Sequence, residues 1–211
     1  MNEKPILFST EMIKAILDGH KTQTRRIVRL TEFQKAISHG YDWMFRDKRG
    51  LWNEVPTSWL LRNKCPYGRP GDMLWVRETW AIDQGFDSVK PSDISDYWGG
   101  LYYKATGDKP AGKWRPSIFM PRWASRITLR VQDVRVERVQ DITIDDAGEE
   151  GCSGVISGGY DFDIYNENGD YARHPYIMNF RRLWDSINAK RGFSWDSNPW
   201  VWVIDFEEVK K

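Results

Sequence analysis

The stretch Gly19-His20-Lys21-Thr22-Gln23-Thr24-Arg25-Arg26 decides how this chain is read. Before it, Met12, Ile13, Ile16 and Leu17 recur at helical spacing. Ser9 or Thr10 can cap that helix, Glu11 suits its positive end, and Gly19 can take the left-handed conformation that stops it. After it, Thr22 and Thr24 place β-branched residues two apart ahead of Ile27 and Val28, so residues 22–28 read as a strand. The two-residue period puts Thr22, Thr24 and Arg26 on one face, with Lys21 in the turn. An amine, hydroxyls and a guanidinium therefore converge where helix passes to strand. Such a grouping suits a substrate.

Outward from that stretch, residues 5–9 form a first strand by their apolar run. Residues 31–37 predict a short helix, capped by Thr31 with Phe33 and Ile37 inward. Residues 41–61 carry Trp43, Phe45, Trp52 and Trp59 and predict a hairpin around Asp47 to Gly50. Gly68, Pro70 and Gly71 mark a turn. Residues 73–81 alternate as a strand with Arg77 and Glu78 on opposite faces, and residues 101–105 predict another. Between them lies a polar loop broken by Pro91, Gly99 and Gly100.

Residues 113–126 interleave Trp114 and Trp123 with Arg115, Arg122 and Arg126, and two prolines exclude a helix there. Aromatic and guanidinium planes offer stacking surfaces for bases, while the cations suit phosphates. A packed Trp–Arg lid is the alternative. Residues 127–139 are the clearest strand, but Ile127, Leu129 and Val131 fall out of phase with Val134 and Val136. A bulge near Gln132 and Asp133 restores the face. Thr143 caps a short helix with Asp146 three residues on, closed by Glu149 and Glu150. Residues 152–171 predict a loop. Residues 174–189 form an amphipathic helix ended by Gly192, and residues 199–206 form a last strand, apolar on both faces and hence central.

With 211 residues and 24.8 kDa the chain is expected to be a single domain, residues 1–211, with insertions near 31–68 and 83–113. Its net charge of +1 announces no polyanion partner, yet the charges are segregated. Residues 113–138 hold seven basic and two acidic side chains, and residues 141–170 hold nine acidic and no basic ones. This suits either one cationic face or separate solvated faces. Cys65 and Cys152 make no disulfide framework, and His20, His39 and His174 are scattered, so no metal or other cofactor is expected. No signal peptide or membrane span is legible, and a cytoplasmic location with no membrane partner is expected. Twelve tryptophans exceed what a core needs, which places some of them on a groove or stacking surface.

Gly19, Lys21, Thr24 and Arg26 fit the G-x-K-x-x-T-x-R signature of the ASCH domain, a β-barrel related to the PUA RNA-binding domain. Residues 70–78 resemble that family's G-D-x-L-x-V strand, and residues 146–151 resemble its short helix carrying an acidic residue. The chain as a whole is most similar to ASCH proteins of bacterial viruses and prophages. The resemblance implies an α+β architecture, a PUA-like barrel flanked by short helices. It also implies an amidohydrolase acting on N4-acylated cytidine, as in N4-acetylcytidine amidohydrolases. The family's catalytic lysine, threonine and glutamate fall on Lys21, Thr24 and Glu150, with Glu149 the substitute for the last. Arg26, Arg77, Trp123 and Arg126 are the candidate substrate-binding residues, and the expected partner is a nucleoside or RNA. Arg26 has the alternative role of pairing with an acid inside the barrel. Two other functions fit the residues. One is an RNA-binding module, with or without ribonuclease activity, and the other is a viral structural or interaction protein whose tryptophans form an interface.

Overall fold

A computed structural model of the chain describes residues 2–94, 99–154 and 174–210. Strand β1 (Glu3–Leu7) leads into helix α1 (Thr10–Leu17), whose N-cap Ser9 accepts from the Met12 amide. Gly19 closes this turn at φ 75°. Strand β2 (Gln23–Ile27) follows, then a hairpin layer of β3 (Thr31–Lys35), β4 (Trp43–Arg46) and β5 (Trp52–Val55), and helix α2 (Thr57–Lys64). Next come β6 (Met73–Arg77), the short pair β7 (Trp80–Ala81) and β8 (Tyr102–Tyr103), and the long β9 (Thr128–Arg138). Helix α3 (Ile144–Glu149), helix α4 (Pro175–Asn188) and strand β10 (Trp200–Glu208) complete the order. The protein is α+β, and among the described residues no helix is long and apolar enough to cross a membrane.

The main sheet has five strands in the order β1-β6-β9-β10-β2, with β1 and β6 parallel and the other neighbours antiparallel. β10 lies inside it, as its two apolar faces require. Alternation along β10 divides the core in two. Trp202 and Ile204 face a cluster with Ile6, Phe8, Leu74 and Leu129, while Val201 and Val203 face α3 through Ala147 and α4 through Ile177, Phe180 and Trp184. The β9–β10 register steps from Asp205–Asp133 to Phe206–Val131, leaving Gln132 as the extra residue. That bulge lets Val131 and Val134 share one buried face.

Two expectations are corrected by packing between distant residues. Residues 31–37 are not a helix. β3 pairs with β4, and Phe33 stacks on Trp43 at 4.9 Å while Ile37 stays 83 % exposed. A stacked aromatic pair and a row of ladder bonds outweigh a weak helical pattern there. Nor is 73–81 one strand. β6 stops at Arg77, the Glu78 amide donates to the Met120 sulfur, and Trp80 turns to pair with β8 and Arg115. Residues 113–126 are non-helical as expected, with short 3-10 turns at Ser117–Phe119 and Arg122–Ala124. The loop reading for 152–171 falls largely outside the described residues, and so does the charge pattern of 155–170.

Candidate active site at the free edge of β2

β2 lies at the edge of its sheet, bonded to β10 alone. Phe206 donates to the Thr22 carbonyl and Val28 to the Trp200 carbonyl, which sets the phase of the ladder. Thr22, Thr24, Arg26 and Val28 therefore turn their backbone groups to β10, and Gln23, Arg25 and Ile27 turn theirs outward. Two of those outward groups are satisfied by side chains. The Lys21 ammonium donates to the Gln23 carbonyl at 2.8 Å, and the Arg25 amide donates to Glu150 Oε1 at 2.5 Å.

Lys21 and Glu150 also bind each other. Lys21 Nζ donates to Glu150 Oε2 at 2.5 Å and to the Glu150 carbonyl at 2.8 Å, and the two residues form an isolated antiparallel bridge. Local chain geometry brings this about. The Thr143–Asp146 capping box starts α3, Glu150 ends it in helical conformation, and Gly151 turns away at φ 84°. The Thr22 amide then bonds the Glu149 carbonyl, docking the end of α3 beside the start of β2. Lys21 is 2 % exposed, not a solvated turn residue. Burial pushes its ammonium below the usual lysine range, and the Glu150 carboxylate opposes that shift. All three ammonium protons have acceptors.

A cavity of about 670 Å³ opens beside this pair, inside the ~300–1,000 Å³ span of small-molecule sites. Thr24, Arg26 and Glu150 line it, together with Tyr67, Ile187 and Trp202. Lys21 stands behind Glu150 and not in the wall. Among the cavity's ionisable side chains Arg25, Arg26, Arg29, Lys64 and Arg191 are cations, and Glu150 is the one carboxylate. Arg26 donates to the Leu7 carbonyl at 2.6 Å and packs 5.0 Å from the Phe8 ring, with its buried Nε unpartnered. Among the described residues it thus pairs with a carbonyl and with no acid.

The other three candidate binding residues lie elsewhere. Arg77 lines a separate cavity of about 680 Å³ with Ile118 and Phe119. Trp123 meets Trp80 edge-on at 5.7 Å. Arg126 grips Glu78, a carboxylate 1 % exposed, through two bonds of 2.9 and 3.0 Å, and covers the Tyr103 ring at 4.0 Å. That geometry gives Arg126 a structural partner and commits the Nε–Nη2 edge of its guanidinium to Glu78. Of the stretch 113–126, Arg115 also binds inward, to the Val89 and Phe86 carbonyls, so the lid alternative describes that residue.

Arg25 is the residue that sequence reasoning passed over. Its side chain is wholly buried, bonded to the Gln23 side chain and paired with Asp146 at 3.0 Å and Glu137 at 3.3 Å. Arg135 joins the same acids at 2.9 Å and 2.6 Å and also binds Asp205. One pair, Arg135 with Asp146, thus joins the basic run of the sequence to the described part of the acidic run. The alternation Lys21, Gln23, Arg25 was the available signal, since it puts three polar groups on the face opposite Thr24. Glu149 accepts from the Gln23 amide at 3.0 Å and is not in the cavity wall, which separates it from Glu150.

Among the described residues no group of three His, Cys, Asp or Glu side chains is placed to hold a metal ion. No family model, curated protein or solved structure matches the chain.

Proposed function

We propose that this protein is a PUA-like barrel of the ASCH type whose β2-edge cavity binds a pyrimidine nucleoside, and that it hydrolyses the N-acyl bond of N4-acylated cytidine. The observation that carries the reading is the meeting of Lys21, Glu150 and Thr24. Two of them line one cavity of suitable size and the third is bonded to the second. The Arg26 bond to the Leu7 carbonyl supports the barrel, because it links the two edge strands β2 and β1 by a side chain.

The hydrogen bonds favour roles different from a lysine base. An amine donating three hydrogen bonds has no lone pair to offer, so Glu150 is the proton acceptor and Lys21 its positioning partner. Water held between Thr24 Oγ1 and Glu150 attacks the acyl carbon, and Glu150 takes the water proton. The acyl oxygen becomes an oxyanion, stabilised by the Arg26 guanidinium. Collapse breaks the C–N4 bond, the proton passes from Glu150 to N4, and the products are cytidine and a carboxylic acid.

RNA binding at the same cavity is the second reading, favoured by the four cations other than Arg25 that ring it with no acid but Glu150. Incubation with a panel of N4-acylcytidines and short RNAs, wild type beside Lys21→Ala, tests both. Acid release by wild type that is lost in a Lys21→Ala variant shown by circular dichroism to be folded supports hydrolysis, whereas salt-sensitive RNA binding without acid release supports the second reading alone. Lys21→Ala retaining most of the wild-type turnover contradicts the catalytic assignment.

A further inference from the structure

The outward backbone groups of β2 are satisfied only as far as Arg25. Beyond the bonds made by Lys21 and Glu150, the Arg25 carbonyl and both the N–H and the carbonyl of Ile27 point away from β10. The ladder phase leaves the Ile27 N–H off β10, and no loop or side-chain acceptor among the described residues takes it. Arg25 and Ile27 both line the cavity. A short open length of sheet edge, acceptor then donor then acceptor, thus faces the space where the ligand is proposed to sit.

What surrounds that edge defines what can pair with it. One face of the sheet here belongs to α4, which sets Leu183 and Ile187 against the cavity, and the other belongs to the Phe8–Trp202 cluster, with Leu30 and Tyr67 at its margin. A ligand that continues the sheet plane meets these apolar side chains above and below, the Arg25 and Arg26 guanidinium groups at its flanks, and backbone hydrogen-bonding groups at its rim. A flat heterocycle has that distribution of polarity. A peptide strand needs a longer edge, and the Lys21–Glu150 pair closes the edge at Gln23.

We infer that the open β2 edge at Arg25 and Ile27 is the base reader of this protein, taking the amide-like edge of a pyrimidine as the sheet would take another strand. The ring accepts from the Ile27 N–H, and an exocyclic amine donates to the Arg25 carbonyl, which sets that nitrogen toward Glu150, whose Oε1 is held by the Arg25 amide. The discrimination comes from main-chain atoms, so no side-chain motif for it exists in the sequence. This inference rests on the pyrimidine reading given above.

Amide hydrogen exchange of the full chain, alone and with saturating cytidine or N4-acetylcytidine, tests it. The amides of Arg26 and Val28 should be protected throughout, and that of Ile27 should exchange fast alone and at least about tenfold more slowly with ligand. Ile27→Pro removes that N–H without touching the ladder to β10, because proline is tolerated where the amide faces away from the sheet. It should lose at least roughly tenfold in affinity for the same nucleosides, the equivalent of one hydrogen bond, while Ile27→Val stays near wild type. An Ile27 amide already protected without ligand, or unmoved by ligand that binds, overturns the inference and leaves the pyrimidine site standing. A wild-type protein that binds neither nucleoside overturns both.

Discussion

Lys21 Nζ and Glu150 Oε2 lie 2.5 Å apart, joined across 129 residues of sequence, and neither side chain is more than 3 % exposed. Removing one member of so buried a pair strands the other. Lys21→Met should therefore cost on the order of 3–5 kcal/mol, read as a lowered denaturant midpoint, and should abolish turnover with it. Retention of wild-type stability in Lys21→Met would show that the carboxylate is not buried with its charge.

Glu149 and Glu150 are neighbours in sequence with opposite surroundings. Burial raises the Glu149 carboxyl above its ordinary range, and the nearby Asp205 and Asp146 raise it further. A group whose folded value is raised in this way opposes folding once it ionises. Glu149→Gln should hence be neutral to slightly stabilising at pH 7, with any gain fading below about pH 4, and should keep activity. Glu150→Gln leaves the Lys21 ammonium without its carboxylate, so it should lower the melting temperature and abolish the activity of the fraction that stays folded. Parallel thermal melts and turnover assays separate the two, and the reverse pattern would move the catalytic role to Glu149.

Asp146 carries the acid sensitivity of the site. Burial alone would raise its carboxyl, but the Thr143 N–H, the Gln23 amide and the Arg25 guanidinium outweigh it and hold the value at about 2. Its folded value lies below its unfolded one, so its contribution is complete above the ordinary carboxylate value near 3.8 and is lost as pH falls toward about 2. A shift of that size corresponds to roughly 2 kcal/mol. Asp146→Asn should accordingly be destabilised at pH 7 and close to wild type near the lower end of that window. Urea unfolding at both pH values checks this, and an equal loss at both would contradict it.

Arg126 should prove structural. Its loss leaves Glu78 buried without its cation, and Arg126→Ala should cost on the order of 3–5 kcal/mol. Arg126→Lys should recover only part of that, since the paired hydrogen bonds to the carboxylate and the cover of Tyr103 both need the planar fork. Ligand affinity of the folded fraction should not change. A weakened affinity with unchanged stability would return Arg126 to the binding residues.

Features written in adjacent residues were legible before the structure. The Thr143–Asp146 capping box, the bulge at Gln132, the hairpin around Asp47 to Gly50 and the central place of β10 all rest on local pattern. What the sequence hid depends on partners far along the chain. Arg25 has its acids on β9 and α3, Arg126 finds Glu78 48 residues away, and β3 owes its strand to the stack of Phe33 on Trp43. The open edge of β2 was hidden for another reason. It is a property of backbone groups left over by strand order, and side-chain identities do not encode it.

The most direct measurement is cytidine formed from N4-acetylcytidine at pH 7 by wild type and by Glu150→Gln, with circular dichroism confirming that both are folded. Steady release of cytidine and acetate by wild type, reduced roughly a hundredfold or more in the variant, is the expected result, in the range that general acid–base groups contribute. No release by folded wild type, or equal release by the two proteins, contradicts the assignment of hydrolysis to the Lys21–Glu150 pair.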